Sequence, residues 1–318
     1  MRALAALLLL AACSVNDAPA QIEPQQTPPR AAEGPEAPAA VIDVPFENAV
    51  DEPADPHRTI SLDCAGAFTQ GGVVICRTLP NADVLIDGAA FATADEHGWA
   101  VLGFSRENRG ESVIGARLGA SEISRGYTIA PRAFDVQRID GLPQETVTPT
   151  NPAVLARIQR EAALKQEGFA SQAALTGFLD GFIWPVEGRI SGSWGNQRVL
   201  NGTPSTPHFG VDIAAPTGTP IRAPAAGVVS FANADMHYEG GLVFIDHGQG
   251  LITMYLHMSR LDVAAGQRVA QGQVIGAVGA SGRATGPHLC WRMRLHGRQL
   301  DPSVAVEGLQ AARAELLR

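Results

Sequence analysis

The fold is decided by the stretch Gly241-Leu242-Val243-Phe244-Ile245-Asp246-His247-Gly248-Gln249-Gly250-Leu251-Ile252-Thr253-Met254-Tyr255-Leu256. Its two apolar runs are short and rich in β-branched and aromatic residues, and a glycine-containing turn separates them. Short apolar runs bounded by turn residues are typical of buried strands rather than of helices. The stretch therefore predicts two neighbouring strands of a β-sheet.

Comparable segments lie on both sides of this stretch, among them residues 227–229 and 266–276. Strands joined by tight turns, with no helix between them, indicate antiparallel pairing. We therefore expect residues 183–318 to form one antiparallel β-sheet domain.

The preceding part of the chain divides into two predicted regions. Residues 57–145 contain short strand-like runs separated by turn signals such as Asp87-Gly88, which predicts a small β-sandwich. Residues 146–182 are predicted to be a helical connector. Its first helix begins at Asn151-Pro152, where asparagine caps and proline occupies the first turn, and a second helix covers about residues 171–182. The predicted fold class is mainly β.

Charge is concentrated near the amino terminus. The 318-residue chain has a formal net charge of −8, and residues 14–55 carry nine acidic residues against one arginine. The remainder is close to neutral and offers no basic surface for phosphates, which argues against a nucleic-acid partner. The Pro-, Ala- and acid-rich residues 13–56 are predicted to be a disordered tether.

The first residues are predicted to be an export signal, either an ordinary one in which Cys13 has no role or that of a lipoprotein. Residues 1–12 have a short positive start and an apolar Ala/Leu run, and Leu10-Ala11-Ala12-Cys13 resembles the lipobox of bacterial lipoproteins. The resemblance implies that Cys13 is lipidated and anchors the protein to a membrane. Ser14 follows instead of the aspartate typical of inner-membrane retention, so the expected location is the outer membrane, facing the periplasm.

The other cysteines separate into a pair and a single residue. Cys64 and Cys76 lie in the predicted sandwich of an exported protein, where a disulfide is the expected state. Cys290 then has no cysteine partner in an oxidising compartment, which calls for another explanation.

Three clusters hold the chemically competent side chains. Imidazole, carboxylate and thiolate all bind zinc, and three protein ligands leave a position open for chemistry. His288 and Cys290 are two residues apart, so on a strand both point to the same side. The clusters are residues 207–212, 254–257 and 286–291.

In this order and spacing, the clusters resemble the M23 family of peptidoglycan metalloendopeptidases, of the lysostaphin type. The resemblance covers about residues 184–306. The segments that carry it are residues 208–213, 214–220, 223–229, 246–248, 255–257 and 282–289.

The resemblance implies a role for each site residue. His208 and Asp212 match zinc ligands, His288 the general base, and His257 the histidine that orients water or stabilises the oxyanion. The family's third ligand is the second histidine of a His-x-His pair, and Cys290 stands in its place. Because thiolate is also a good zinc ligand, we expect one Zn²⁺ per chain. A second anionic ligand weakens the metal as a Lewis acid, so we expect reduced hydrolysis.

Other polar residues of the clusters have simpler interpretations. Tyr255 and Arg283 are candidates for substrate contact, although an aromatic residue in a β-run is more often a packing residue. His247 matches a family position that is structural.

Two functions are consistent with the sequence. One is a zinc endopeptidase that cleaves stem peptides or cross-links of peptidoglycan during cell-wall remodelling. The alternative is a catalytically weak or inactive regulator that activates cell-wall amidases. The presence of four of the family's site residues, with a ligand at the fifth position, favours the enzyme.

Overall fold

The computed structural model describes residues 59–318. The predicted signal peptide, Cys13 and the tether lie outside these residues. Within residues 59–318, no helix is both long and apolar enough to cross a membrane.

The amino-terminal part of the described chain is a sandwich of two antiparallel sheets, with strand orders β1-β2-β5 and β4-β3-β6-β7. Val74 and Leu102 from one sheet pack in the same core as Val84 and Ile114 from the other. This matches the predicted β-sandwich. The strands are β1 (Asp63–Gly66), β2 (Val73–Arg77), β3 (Asp83–Ile86), β4 (Ala89–Thr93), β5 (Trp99–Gly103), β6 (Gly110–Leu118) and β7 (Ser121–Ile129).

Cys64 and Cys76 face each other across the β1–β2 pair. A disulfide joins them in the structure, between the two predicted partners.

The connector contains one long helix. It follows β8 (Val136–Ile139) and a short helix, α1 (Gln144–Val147), and is α2 (Pro152–Phe169). The side chain of Asn151 accepts a hydrogen bond from the backbone of Ala153, as the sequence predicts for an N-cap.

The predicted second helix over residues 171–182 is wrong. Only a single 3₁₀ turn, Gly177–Leu179, forms there. The backbone N–H of Ala173 donates to the Asp246 carboxylate at 2.8 Å, and that of Phe178 donates to the carbonyl of His247 at 3.2 Å. The segment thus uses its donors on the neighbouring sheet instead of within a helix.

The carboxyl-terminal part is built on one large sheet of order β18-β14-β15-β16-β20-β12-β9, with β21 beside β20. A smaller sheet has the order β13-β19-β17, and β11-β10-β8 forms a third. The strands of the stretch quoted first pair as antiparallel β15 and β16. The strands are β9 (Arg189–Gly192), β10 (Gln197–Leu200), β11 (Thr203–Pro204), β12 (Val211–Ala214), β13 (Pro220–Arg222), β14 (Gly227–Met236), β15 (Gly240–Asp246), β16 (Leu251–Met258), β17 (Arg260–Leu261), β18 (Arg268–Val269), β19 (Val274–Ala277), β20 (His288–Leu295) and β21 (Arg298–Leu300).

A terminal helix, α3 (Pro302–Leu316), is absent from the sequence-based expectation. The buried side chain of Asp301 caps it by accepting from the backbone of Ser303. A Cβ on Gly308 would lie 2.8 Å from that of Ala67, so the helix approaches the sandwich closely. The signal for α3 was the Asp301-Pro302 pair, which repeats the cap pattern of α2.

The sheet β1-β2-β5 is buried on both faces. Along β2, Val74 and Cys76 enter the sandwich core, whereas Val73 and Ile75 enter a second core shared with Leu309 of α3. This explains why β2 is apolar at successive positions instead of alternating. The domain boundaries at residues 145 and 183 stay a prediction, because this second core continues across both of them.

Candidate metal and catalytic centre

The three predicted metal ligands meet where β12 and β20 pair. Asp212 and Cys290 are direct cross-strand partners, and His208 precedes β12. His208 Nε2 lies 3.2 Å from Asp212 Oδ1 and 3.4 Å from Cys290 Sγ. Ligand atoms of all three residues lie within 4.8 Å of one another, and all three side chains are buried. The sequence therefore predicted a cluster that the fold assembles.

Two glycines leave room for these side chains. A Cβ on Gly210 would lie 2.9 Å from Cys290 Sγ, and one on Gly192 would lie 2.4 Å from Asp212 Oδ2. Any larger residue at either position would push into a ligand.

The donor set fits a zinc ion. Within residues 59–318, the buried atom Asp212 Oδ1 has no well-aligned hydrogen bond, although His208 Nε2 lies 3.2 Å and His288 Nε2 3.8 Å from it. Buried polar atoms without partners are uncommon in folded proteins and are expected where an ion or water binds. Nitrogen, carboxylate oxygen and sulfur are the three ligand types that zinc accepts.

His257 and His288 stand beside the ligand cluster. Their ring centroids are 4.7 Å apart, and His288 Nε2 is 3.8 Å from Asp212 Oδ1. Nδ1 of His257 is 2.8 Å from the carbonyl of Ser281, and Nδ1 of His288 is 2.8 Å from the carbonyl of Gly286. A carbonyl only accepts, so each Nδ1 carries the proton and each Nε2 keeps its lone pair.

Burial and charge set the protonation states here. Burial lowers the pKa of His288, against the raising effect of Asp212, and burial also lowers the pKa of His257. Both rings are therefore neutral at neutral pH, as a proton acceptor must be. Burial alone would raise the pKa of Asp212, but hydrogen bonding and charge from His208, with the charge of Arg198, hold it far below its usual range.

The centre opens into a cavity of about 280 Å³. One wall is Gln137 and Ile139 of β8 with Leu142, so residues before the predicted metallopeptidase domain contribute to it. Arg283, for which substrate contact stays a prediction, lines the cavity and donates to the carbonyl of Thr146 at 3.1 Å.

The expectation that Tyr255 contacts substrate is corrected by its position. Its side chain is fully buried in the core, and its hydroxyl lies 2.7 Å from Thr253 Oγ1. Burial raises the pKa of Tyr255. The residue belongs to the packing of the sheet, which was the other interpretation of the sequence.

Two arginines at the centre were not predicted. Arg198 of β10 forms an ion pair with Asp212, and Arg292 Nε lies 3.5 Å from Cys290 Sγ. Arg292 could have been predicted from the sequence, because it lies two residues after Cys290 and residues two apart on a strand point to the same side. Nothing in the local sequence pointed to Arg198, because the pairing of β10 with β8 brings it to the site.

Comparisons with known proteins agree with this site. The family model described as peptidase family M23 matches residues 206–302. A solved structure from Pseudomonas aeruginosa described as peptidase M23 is 30% identical, with a TM-score of 0.56, and the alignment covers 76% of this chain and 95% of that one. The chain belongs to peptidase family M23. The alignment extends well beyond the residues of the family model.

Curated relatives match over a shorter region. The DD-carboxypeptidase/endopeptidase Mpg of Neisseria meningitidis is 44% identical over 109 residues, which are 34% of this chain and 25% of the relative. The peptidoglycan DD-endopeptidase ShyA of Vibrio cholerae is 40% identical over 121 residues, 37% of this chain and 28% of the relative. The cell division protein DipM of Caulobacter vibrioides is 37% identical over 113 residues, 36% and 18% of the two chains. The chain thus spans about a quarter of the length of the first two relatives.

Proposed function

We propose that the protein is a zinc-dependent endopeptidase that hydrolyses peptide bonds in the stem peptides or cross-links of peptidoglycan. The observation that carries the proposal is the convergence of three buried ligands with two neutral histidines at one end of a cavity. His208, Asp212 and Cys290 would hold the ion. Bound there, zinc would act as a Lewis acid on the scissile carbonyl and on water.

The two histidines would divide the proton handling. Because Nδ1 of His288 is engaged by the Gly286 carbonyl, its Nε2 is the atom that accepts a proton from the attacking water. His257 has the same tautomer, with Nδ1 engaged by Ser281, so its Nε2 also accepts. An acceptor orients water, whereas stabilising an oxyanion requires a donor. Of the two roles expected for His257, the geometry favours orienting water.

The cavity would bind the substrate peptide along β8 and the loop that contains Arg283. Arg283 offers a positive charge for a peptide carboxylate, and its guanidinium stacks 4.6 Å from the ring of Tyr238. The names of Mpg and ShyA support a peptidoglycan substrate. We also propose that lipidated Cys13 anchors the protein to the outer membrane, where the tether would extend its reach to the cell wall.

The test is incubation of the purified full chain with peptidoglycan, followed by mass spectrometry of the released fragments. The full chain is needed because α3 packs against the sandwich. New peptide ends that disappear with a zinc chelator are expected.

The variant His288→Ala should reduce release by roughly 10²–10⁴-fold, the range for loss of a general base. The matched control is His97→Ala, an exposed histidine of the sandwich, which should retain full activity. Undiminished release by His288→Ala, or in the presence of chelator, would contradict the proposal. If nothing is released but the protein stimulates a purified cell-wall amidase, the regulator is the correct alternative.

A further inference from the structure

We propose that Arg292 and Arg198 are positioning residues that bind the two anionic ligands of the metal centre and draw negative charge away from the metal. The inference rests on the metal site of the proposed function. It concerns how a site with a cysteine ligand could keep its metal electrophilic.

Each anionic ligand has its own arginine. Arg198 Nη2 donates to Oδ2 of Asp212, while Oδ1 of the same carboxylate faces His208. Arg292 Nε donates to Cys290 Sγ at 3.5 Å. The two guanidinium groups arrive on different strands, β10 and β20, so the pairing does not come from one local motif.

The Arg292 side chain directs its hydrogen bond to this sulfur. Within residues 59–318 no carboxylate lies within 4.0 Å of it, and the neighbouring Glu239 is paired with Lys165. Its only hydrogen-bond acceptor among these residues is Cys290 Sγ. Arg292 is partly buried, and a partly buried guanidinium is stabilised by an acceptor within hydrogen-bond reach.

Arg198 is held from its other side by a residue of β8. Its Nε donates to the side-chain oxygen of Gln137 at 3.1 Å, and Gln137 lies on β8. The parallel pairing of β8 with β10 therefore places the Arg198 guanidinium that binds the Asp212 carboxylate.

The effect of these arginines on the metal has a definite sign. The usual partner of a metal ligand is an acceptor, which makes the ligand more basic and tightens binding. A cationic donor makes the ligand less basic and weakens metal binding. Metal entry adds at least one net positive charge even after the thiol proton leaves, so a nearby cation weakens binding while leaving the metal a stronger Lewis acid.

The experiment loads the full chain with Co²⁺ and records the sulfur-to-cobalt charge-transfer band. The wild type should show the band, and Cys290→His should abolish it. Arg292→Met should move it to longer wavelength, because a sulfur without an N–H donor gives up electrons more readily. Arg294→Met is the matched control, since Arg294 lies on the same strand, stacks on Phe169 and should leave the band unchanged.

Zinc affinity, measured by competition with a chelator, is the second readout. Arg292→Met should bind zinc about tenfold more tightly, whereas a merely structural role predicts weaker binding. Arg292→Lys keeps the positive charge, so it should shift the band in the same direction but by less. This variant tests the inference if Arg292→Met does not fold.

An unmoved band in both Arg292 variants, equal shifts in Arg292→Met and Arg294→Met, or weaker zinc binding would overturn the inference. A wild-type protein without the band would overturn it as well, since Cys290 would then not be a ligand. None of these readouts requires peptidase activity, so failure of the proposed function is seen separately.

Discussion

Two groups of buried polar side chains lie on the large sheet, and they differ in how completely they are paired. At the candidate centre, within residues 59–318, Asp212 Oδ1 has no well-aligned hydrogen bond and faces the ring atom His208 Nε2 at 3.2 Å. Around Asp246 and His247, at the turn between β15 and β16, both side chains use all their polar atoms. The sequence type is similar in both places, a histidine and an aspartate in a β-rich segment. The difference is that one group is complete within the protein and the other is open to a ligand.

The completed group ties the connector to the sheet. Asp246 Oδ2 accepts from Ser171 Oγ at 2.7 Å and from the backbone of Ala173 at 2.8 Å, and Oδ1 accepts from the backbone of Gly248 at 2.9 Å. His247 lies between the carbonyl of Ala226 and Thr253 Oγ1, each at 2.8 Å. Pairing of this kind stabilises the fold and leaves nothing for substrate.

The largest effect is expected from Asp246→Ala. The change leaves three donors without their acceptor in a fully buried position, so the free energy of unfolding should fall by about 4 kcal/mol. Asp246→Asn is the matched control; it keeps one acceptor oxygen and should lose less. Urea unfolding measures both. Unchanged stability in Asp246→Ala would remove the distinction between the two groups.

The second effect is a pH dependence that belongs to the completed group. Burial lowers the pKa of His247 to about 4, whereas the unfolded side chain titrates near its ordinary value of 6.5. Since the unfolded state then binds the proton more readily, this contribution is complete above pH 6.5 and is lost as the pH falls toward 4. From pH 7 to pH 5 the loss should be about 2 kcal/mol.

The measurement is denaturant unfolding of the wild type and of His247→Gln at the two pH values. Other titrating groups are common to both proteins, so the difference between their pH slopes isolates His247. Equal slopes in the two proteins would contradict the assignment of a neutral buried imidazole.

The sequence predicted the open group better than the completed one. His208, Asp212, His257, His288 and Cys290 were found because their spacing follows the chemistry of metal binding and matches a known family. Hydrogen-bond partners that come from distant segments of the chain, such as Ser171 for Asp246, could not be predicted from sequence spacing. Sequence periodicity describes one strand or helix at a time, and it carries no information on which strands become neighbours.

The fold shows the same division between local and long-range information. The strands β15 and β16 and the N-cap of α2 follow from local pattern, and they were predicted. The helix expected over residues 171–182 does not form, because Asp246 and His247 take its backbone donors from a distant part of the chain. The helix α3 carries the same Asx-Pro signal at Asp301 as α2 carries at Asn151, so its start also follows from local pattern.

The caps of α2 and α3 offer a further comparison, because both side chains accept from the backbone N–H two residues later and burial differs. Asn151 is exposed and accepts from Ala153 at 2.9 Å, so Asn151→Ala should lower the free energy of unfolding by about 1 kcal/mol. Asp301 accepts the matching bond from Ser303, but it is 1% exposed and also pairs with Arg132 at 2.8 Å. Asp301→Ala, measured in the same urea series, should therefore lose about 3 kcal/mol, since it leaves a charged partner without its acceptor. If the two caps proved equal, cap chemistry rather than completeness of buried pairing would set the stability of these groups, and the contrast between the open and completed sites would lose its physical basis.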